Sequence, residues 1–124
     1  MKTARKLLIH VQDQTMTATL ENNSSVDALC RWLQEGPVTV EMEDYARMEK
    51  VGSLGRRLPT NDRHITTTAG DLILYQGCNF VIYYAPNTWS FTKLGHIDGV
   101  SAKELKDLLG RHDVMVTLEL AEQD

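Results

Sequence analysis

The chain has 124 residues, a size that fits one domain, and such a domain buries roughly two thirds of the surface that its unfolded chain exposes. With 42% hydrophobic and 24% charged residues and no biased tract, the composition excludes the disordered and fibrous classes of protein. The formal net charge of −4 argues against a nucleic-acid partner, because binding to a phosphate backbone draws its affinity from a basic face. We therefore expect one globular domain over residues 1–124 that does not bind nucleic acid.

The N-terminal segment MKTARKLLIHVQDQ has basic residues followed by a short apolar run. The run ends at His10, too early for the apolar region of a signal peptide, and no apolar stretch is long enough to span a bilayer. Cys30 and Cys78 lie far apart without a CxxC spacing, which favours reduced thiols over a disulfide framework or a zinc knuckle. These features predict a cytoplasmic protein that does not interact with membranes.

The first half of the chain alternates strand and helix patterns. Residues 6–12 and 15–20 are predicted strands that Asp13-Gln14 can join in a hairpin. Ser24 is the predicted N-cap of a helix that Gly36-Pro37 ends. PVTVEMED, residues 37–44, alternates as a half-buried strand. The helix presents one apolar stripe, formed by Val26, Leu29, Cys30 and Leu33.

Residues 45–70 form the least regular part of the sequence. They contain three glycines, one proline and five of the Lys and Arg residues. Connections longer than about a dozen residues with little structure of their own are usually functional or mobile. The pattern therefore predicts that a functional loop, where one exists, lies here.

The second half is predominantly β. LILYQ (72–76) and NFVIYY (79–84) are apolar runs joined by Gly77-Cys78, which predicts a hairpin buried on both faces. A further strand follows at 89–97, then a short helix with a Ser101 to Glu104 capping box, and a last strand at 113–120. Seven or more closely spaced strands with two short helices indicate a closed β-barrel or a β-sandwich.

Three long segments carry a resemblance to a known family: EKVGSLGRRLPTN (49–61), AGDLILYQGCNFVIYYAPNTWSFTKLGHID (69–98) and the terminal VTLEL. With the order of elements, they make the chain resemble the small bacterial cyclophilin-like proteins. The resemblance implies a mainly β fold, a closed cyclophilin-like barrel of about eight mostly antiparallel strands with two short helices. It does not imply prolyl isomerase activity, because the FxxQGGD-like segment and the upstream arginine of true cyclophilins are missing.

No motif for metal, cofactor or nucleophilic chemistry stands out. His10, His64, His96 and His112 are dispersed, with no pair at ligand spacing, and barrel-type metal sites bring two or three imidazoles together. The sequence has no GxSxG elbow, and Gly52-Ser53-Leu54-Gly55 lacks the Lys-Ser/Thr ending of a phosphate-binding loop. We therefore expect no catalytic residue, metal or cofactor.

Aromatic residues are concentrated in one region, because five of the eight in the chain lie within residues 79–91. Alternation puts Phe80, Ile82 and Tyr84 on one face of their strand and Tyr83 on the other, so the two tyrosines cannot share one core. These rings either pack inside the barrel or form the floor of a groove. The second interpretation predicts a shallow binding groove beside the 45–60 loop, made by Tyr45, Tyr84 and Trp89 with Arg47 or Arg56 at its rim.

The leading functional hypothesis is a non-catalytic module that binds a peptide or a small organic ligand in this groove. The alternative is a weak peptidyl-prolyl isomerase in which Arg47, Arg56 or Arg57 donates to the imide nitrogen. A third hypothesis is that the exposed aromatic face makes a contact between subunits of a homo-oligomer.

Overall fold

The strands of this chain form an antiparallel sheet that closes on itself. The computed structural model describes residues 5–45, 49–110 and 112–121. The elements of this part of the chain are β1 (Lys6–Val11), β2 (Gln14–Leu20), α1 (Ser24–Leu33), β3 (Val38–Tyr45), β4 (Glu49–Ser53), β5 (Arg63–Thr66), β6 (Asp71–Tyr75), β7 (Asn79–Tyr83), β8 (Thr88–Ile97), α2 (Ala102–Leu109) and β9 (Val114–Leu120).

The ring of the barrel contains eight of these strands. Their order is β2-β1-β9-β3-β4-β7-β6-β8, and the end of β8 pairs back with β2. The ninth strand, β5, lies outside the ring and pairs with the beginning of β8. Closure gives every strand of the ring two neighbours, which removes the exposed edges of an open sheet. The predicted closed barrel of about eight antiparallel strands with two helices is confirmed.

Local sequence chemistry explains most element ends, with small corrections to the predictions. The first hairpin turns at Gln12-Asp13, one residue earlier than expected, because Val11 already pairs with Gln14. The N-cap of α1 is Asn23 and not Ser24: the Asn23 side chain accepts a hydrogen bond from the backbone N–H of Val26 at 2.9 Å. Asn and Ser cap helices about equally well, so composition alone could not choose between neighbours. The predicted capping box of α2 is present.

The main core fills the inside of the barrel and extends under both helices. Its members come from seven of the eight strands of the ring, all but β4, and from the buried faces of α1 and α2, including the predicted α1 stripe. Lys50 is fully buried at this core; its ammonium group donates to the carbonyl of His112 and lies 3.5 Å from Asp44 Oδ1. The hydroxyl of Tyr84 also donates to Asp44. Polar groups at this position are thus paired, as burial in a low-dielectric core requires.

The 45–70 segment is more regular than its sequence predicts. It contains β4, which is a wall strand between β3 and β7, and β5. Between these strands, Leu54 and Leu58 enter the main core, and Asn61 Nδ2 donates to Ser25 Oγ at 2.9 Å. The sequence did not indicate β4 because this strand begins with charged residues. Lys50 is buried there because it makes a hydrogen bond and an ion pair, although its side chain is not apolar.

A second apolar cluster lies on the outer face of the barrel wall. It is formed by Ile73, Val81, Tyr83 and Phe91, with Val51, Ile65 and Tyr75 packed against it. The β6–β7 hairpin is therefore buried on both faces, as predicted. The cover on the outer side comes from β5 and the first half of β8, which we call the β5–β8 arm (Arg63–Thr66 and Thr88–Phe91).

Candidate functional site

A cavity of about 390 Å³ lies where the β5–β8 arm meets the outer wall of the barrel. It adjoins the second cluster and is separated from the main core by the sheet. Residues from five strands and one turn line it: Tyr45 of β3, Glu49 and Val51 of β4, Tyr75 of β6, Asn79 and Tyr83 of β7, Asn87 before β8, and Trp89 and Phe91 of β8.

Strand register explains why these side chains meet. Glu49 pairs with Tyr83 and Ser53 with Asn79 across β4 and β7, and alternate residues of a strand point to the same face of the sheet. Lys50 and Ile82, the next pair, point to the barrel interior. In the same way Phe91 and Trp89 share one face of β8, as the sequence pattern predicts. The site is thus carried mainly by strands.

The aromatic floor of the cavity is fixed, whereas its rim is open. The rings of Tyr83 and Phe91 have centroids 5.5 Å apart with an interplanar angle of 58°, and those of Tyr75 and Phe91 are 6.1 Å apart at 61°. Aromatic pairs favour such tilted arrangements. Trp89 and Tyr45, by contrast, are 56% and 64% exposed. A ligand would therefore meet a rigid base and two exposed rings.

The polar centre of the cavity consists of Glu49, Tyr83 and Asn87. The side chains of Glu49 and Tyr83 share a hydrogen bond, and Asn87 Nδ2 donates to the Tyr83 hydroxyl at 3.2 Å. Asn87 is itself held by Thr67, whose Oγ1 accepts from the Asn87 backbone N–H at 2.9 Å. The donors and acceptors are thus positioned before any ligand binds.

The environment of this centre changes how it ionises. Burial raises the pKa of Glu49 above its ordinary value; the Tyr83 hydrogen bond opposes the shift, and the charge of Asp44 adds to it. Burial also raises the pKa of Tyr83 to about 12. The Asn87 hydrogen bond opposes this shift and the negative charge of Glu49 adds to it, so this phenol stays neutral at physiological pH. Glu49 is 7% exposed and can offer a ligand a carboxyl group in a largely apolar setting.

The structure brings two of the five predicted groove residues together. Tyr45 and Trp89 both line the cavity. Tyr84 lies on the opposite side of the wall, in the main core, and Tyr83 takes the place expected for it. Arg56 is also elsewhere: its guanidinium carbon lies 4.3 Å from the ring centroid of Trp32 on α1. Arg47 falls outside the described residues.

Sequence reasoning missed Glu49, Asn87 and Tyr75 as lining residues. Alternation correctly separated Tyr83 from Tyr84, but both faces of β7 are buried, so the pattern does not reveal which face borders open space. Glu49 gave no signal because charged residues at strand starts are usually solvated. The strand assignment of 49–53 was the missing step, since it alone places Glu49 opposite Tyr83.

Other reactive groups lie elsewhere in the chain. The imidazole of His96 is 2.7 Å from Asp71 Oδ1, and Lys93 Nζ lies 3.5 Å from the same oxygen. Burial raises the pKa of the Cys30 thiol, partly offset by Arg5, and both cysteines are free. Among the described residues, no three or more His, Cys, Asp or Glu side chains are grouped to hold a metal ion. None of the helices in the described ranges could cross a membrane.

Comparison with known proteins agrees with this architecture. The sequence profile of the cyclophilin-like family matches residues 9–120. The chain is also similar to the solution structure of the hypothetical protein AF2241 from Archaeoglobus fulgidus, with a TM-score of 0.68, 12% identity and 95% of each chain covered. At that identity the likeness concerns the fold alone. No curated protein matches the sequence. Because the family profile spans nearly the whole chain, the protein belongs to the cyclophilin-like family.

Proposed function

We propose that the protein is a non-catalytic binding module for a small organic ligand, and that the ligand occupies the aromatic cavity on the outer wall. The supporting observation is an open space of about 390 Å³ bordered by five aromatic side chains and one buried carboxyl group. Ligand pockets commonly measure about 300–1,000 Å³ and combine an apolar lining with a few convergent polar groups.

A peptide ligand is a second candidate, and one observation favours it. β5 ends the strand order of the described sheet, so its outer edge has no partner strand within that part of the chain. An extended peptide could pair with this edge and place one side chain in the cavity. Titration with peptides would then shift the backbone amides of Arg63–Thr66, whereas a small ligand confined to the cavity would leave them unchanged.

The aromatic rim also supports the proposal of a subunit contact, since Tyr45 and Trp89 are both exposed and border the same cavity. Light scattering distinguishes the two: a stable dimer that dissociates on Trp89→Ala would favour assembly over ligand binding. A monomer whose Trp89 signal responds to small molecules would favour the binding module.

The experiment that tests the binding proposal uses the two tryptophans as matched sites. Trp89 lines the cavity, and Trp32 lies on α1 outside it. A fragment library is screened by 15N NMR against the wild type, Trp89→Ala and Trp32→Ala. We expect hits that shift Tyr83, Asn87 and Trp89, that weaken at least ~10-fold in Trp89→Ala, and that keep their affinity in Trp32→Ala. Shifts that avoid the cavity would overturn the proposal.

The isomerase alternative has its own test. The described lining residues include the amides Asn79 and Asn87 but no arginine that could donate to an imide nitrogen. We expect a coupled assay on an X-Pro peptide to show no rate above background for wild type. A measurable rate that falls in Arg47→Ala, Arg56→Ala or Arg57→Ala would favour the enzyme and identify its donor.

We also propose a bacterial, cytoplasmic location. Its support is the pair of free cysteines, which suits a reducing compartment. Fractionation of the source cells, followed by detection with an antibody to the protein, would test this location. Recovery in the periplasmic or membrane fraction would contradict the location and would not affect the binding proposal.

A further inference from the structure

The charge of the cavity is one-sided. Of its described lining residues, Glu49 alone has a side chain that is ordinarily charged at neutral pH, and this residue is more than nine-tenths buried. None of the ion pairs in the described ranges includes Glu49. The next residue, Lys50, faces the barrel interior, where it pairs with Asp44 and the carbonyl of His112.

The rings of the cavity add to this negative character. Each aromatic ring has negative potential at its face and attracts a cation within about 6 Å of its centroid. Tyr45, Tyr75, Tyr83, Trp89 and Phe91 border the same space as Glu49. The carboxylate and the rings both attract a positively charged ligand. They repel an anion, which would lose its hydration without gaining a positively charged partner among these lining residues.

We infer that the ligand of this cavity is an organic cation, an ammonium group on an apolar body, with the ammonium group at Glu49 and the body between the rings. This rests on the proposed function and names the class of ligand. The volume of about 390 Å³ accommodates an arylalkylamine and its hydration at the rim. Asn87 and Asn79 can accept further N–H bonds through their amide oxygens.

Burial of an acid that has no cationic partner within the described residues gives the site a proton linkage. The titratable groups that line the cavity with Glu49 are Tyr83 from β7, Tyr75 from β6 and Tyr45 from β3. The negative charge of Asp44, which pairs with Lys50 on the barrel side of β3, also acts on Glu49. Burial raises the pKa of Glu49 in the free protein, whereas a bound cation favours the ionised form and lowers that pKa. Binding of a cation near the pKa of Glu49 must therefore release protons, and affinity must rise with pH until Glu49 is fully ionised.

The test compares probes that share one benzyl or phenyl body: benzylamine as cation, benzyl alcohol as neutral molecule and benzoate as anion. Binding is followed by Trp89 fluorescence in a Trp32→Phe background, which leaves a single tryptophan at the cavity. We expect benzylamine to bind at least ~10-fold more tightly than benzyl alcohol, and benzoate more weakly than either.

Two variants of equal charge change separate a local effect from a global one. Glu49→Gln keeps a hydrogen-bonding partner for Tyr83 but removes the charge, and we expect it to abolish the preference for benzylamine. Glu41→Gln, at an exposed position of β3 outside the cavity, should leave the preference intact. Denaturant unfolding of both variants verifies that they are folded.

The pH arm uses benzyltrimethylammonium, which does not titrate, so any change reports the protein. We expect calorimetry in buffers of different ionisation enthalpy to show proton release on binding to wild type and none in Glu49→Gln. If the probes shift the NMR signals of the cavity residues but benzylamine and benzyl alcohol bind with equal affinity, the cation inference is overturned and the binding module is not. No cavity shift for any probe at millimolar concentration would overturn both.

Discussion

The β6–β7 hairpin is buried on both faces, and the two faces are buried in different ways. On the inner face, Leu72, Leu74, Phe80 and Ile82 pack into the main core with residues from five other strands of the ring. On the outer face, Ile73, Val81 and Tyr83 form a smaller cluster with the β5–β8 arm, Val51 and Tyr75, and an open cavity remains beside them. The same two strands thus border the filled main core on one side and the open cavity on the other.

The comparison indicates a division of labour between the two faces. The inner face removes apolar surface from water without leaving room, which stabilises the barrel. The outer face gains less from burial but holds Tyr83 and Phe91 on a rigid wall, where the barrel fixes their positions. A binding site on regular strands is more precise than one on loops.

The largest expected effect is the difference in stability between a substitution on the inner face and one on the outer face. Phe80→Ala removes a fully buried ring from the main core and should lower the free energy of unfolding by about 3–5 kcal/mol. Phe91→Ala, beside the existing cavity, should cost roughly 1–3 kcal/mol because fewer contacts surround the ring. Urea denaturation measures both, and an equal or larger loss for Phe91→Ala would contradict the division of labour.

Much of the inner face could be predicted from the sequence, because a single alternation defines it. The alternation of Val114, Val116, Leu118 and Leu120 led directly to a barrel wall. The alternation of residues 80–84 grouped Tyr84 with Phe80 and Ile82, but the predicted groove placed Tyr84 outside, whereas it lies in the main core. The outer cavity could not be predicted in the same way. It depends on the pairing of Glu49 with Tyr83 and on the β5–β8 arm, contacts between segments that no local pattern records.

The next effect tests the closure on which both faces depend. Gly95 lies where β8 pairs with β2, and a Cβ there would come within 2.5 Å of the Thr19 carbonyl oxygen. Gly95→Ala should therefore force the two strands apart and destabilise the barrel by about 1–3 kcal/mol. Ser90→Ala, at an exposed position of the same strand, serves as control and should stay within about 0.5 kcal/mol of wild type. Unchanged thermal unfolding of Gly95→Ala would mean that β2 and β8 are less closely packed.

A third prediction concerns the buried acid of the outer face. Because the folded-state pKa of Glu49 is raised, the native protein holds more protons than the unfolded chain between the ordinary pKa of 4.5 and the folded pKa. Stability contributed by protonated Glu49 is thus lost as pH rises through this window. Glu49→Gln lacks this loss and should therefore become more stable than wild type as the pH rises towards neutrality.

The measurement is the free energy of unfolding of both proteins at several pH values. The advantage of Glu49→Gln should be absent at pH 4 and grow towards neutrality, while Glu41→Gln shows no such trend. A constant difference across the pH range would contradict the buried carboxyl and leave the cavity without its charged centre.

The smallest expected effect lies outside both faces, at the contact between Arg56 and Trp32. The guanidinium group stacks on the indole ring at 4.3 Å, and an exposed cation–π pair of this kind contributes about 0.5 kcal/mol. Arg56→Ala should lower stability by that amount, and Arg56→Lys should recover part of it, since a point charge stacks less well than a planar one. Ligand affinity at the cavity should not change in either variant. A loss of binding in Arg56→Ala, with stability intact, would move the recognition site from the outer face of β7 to the surface of α1.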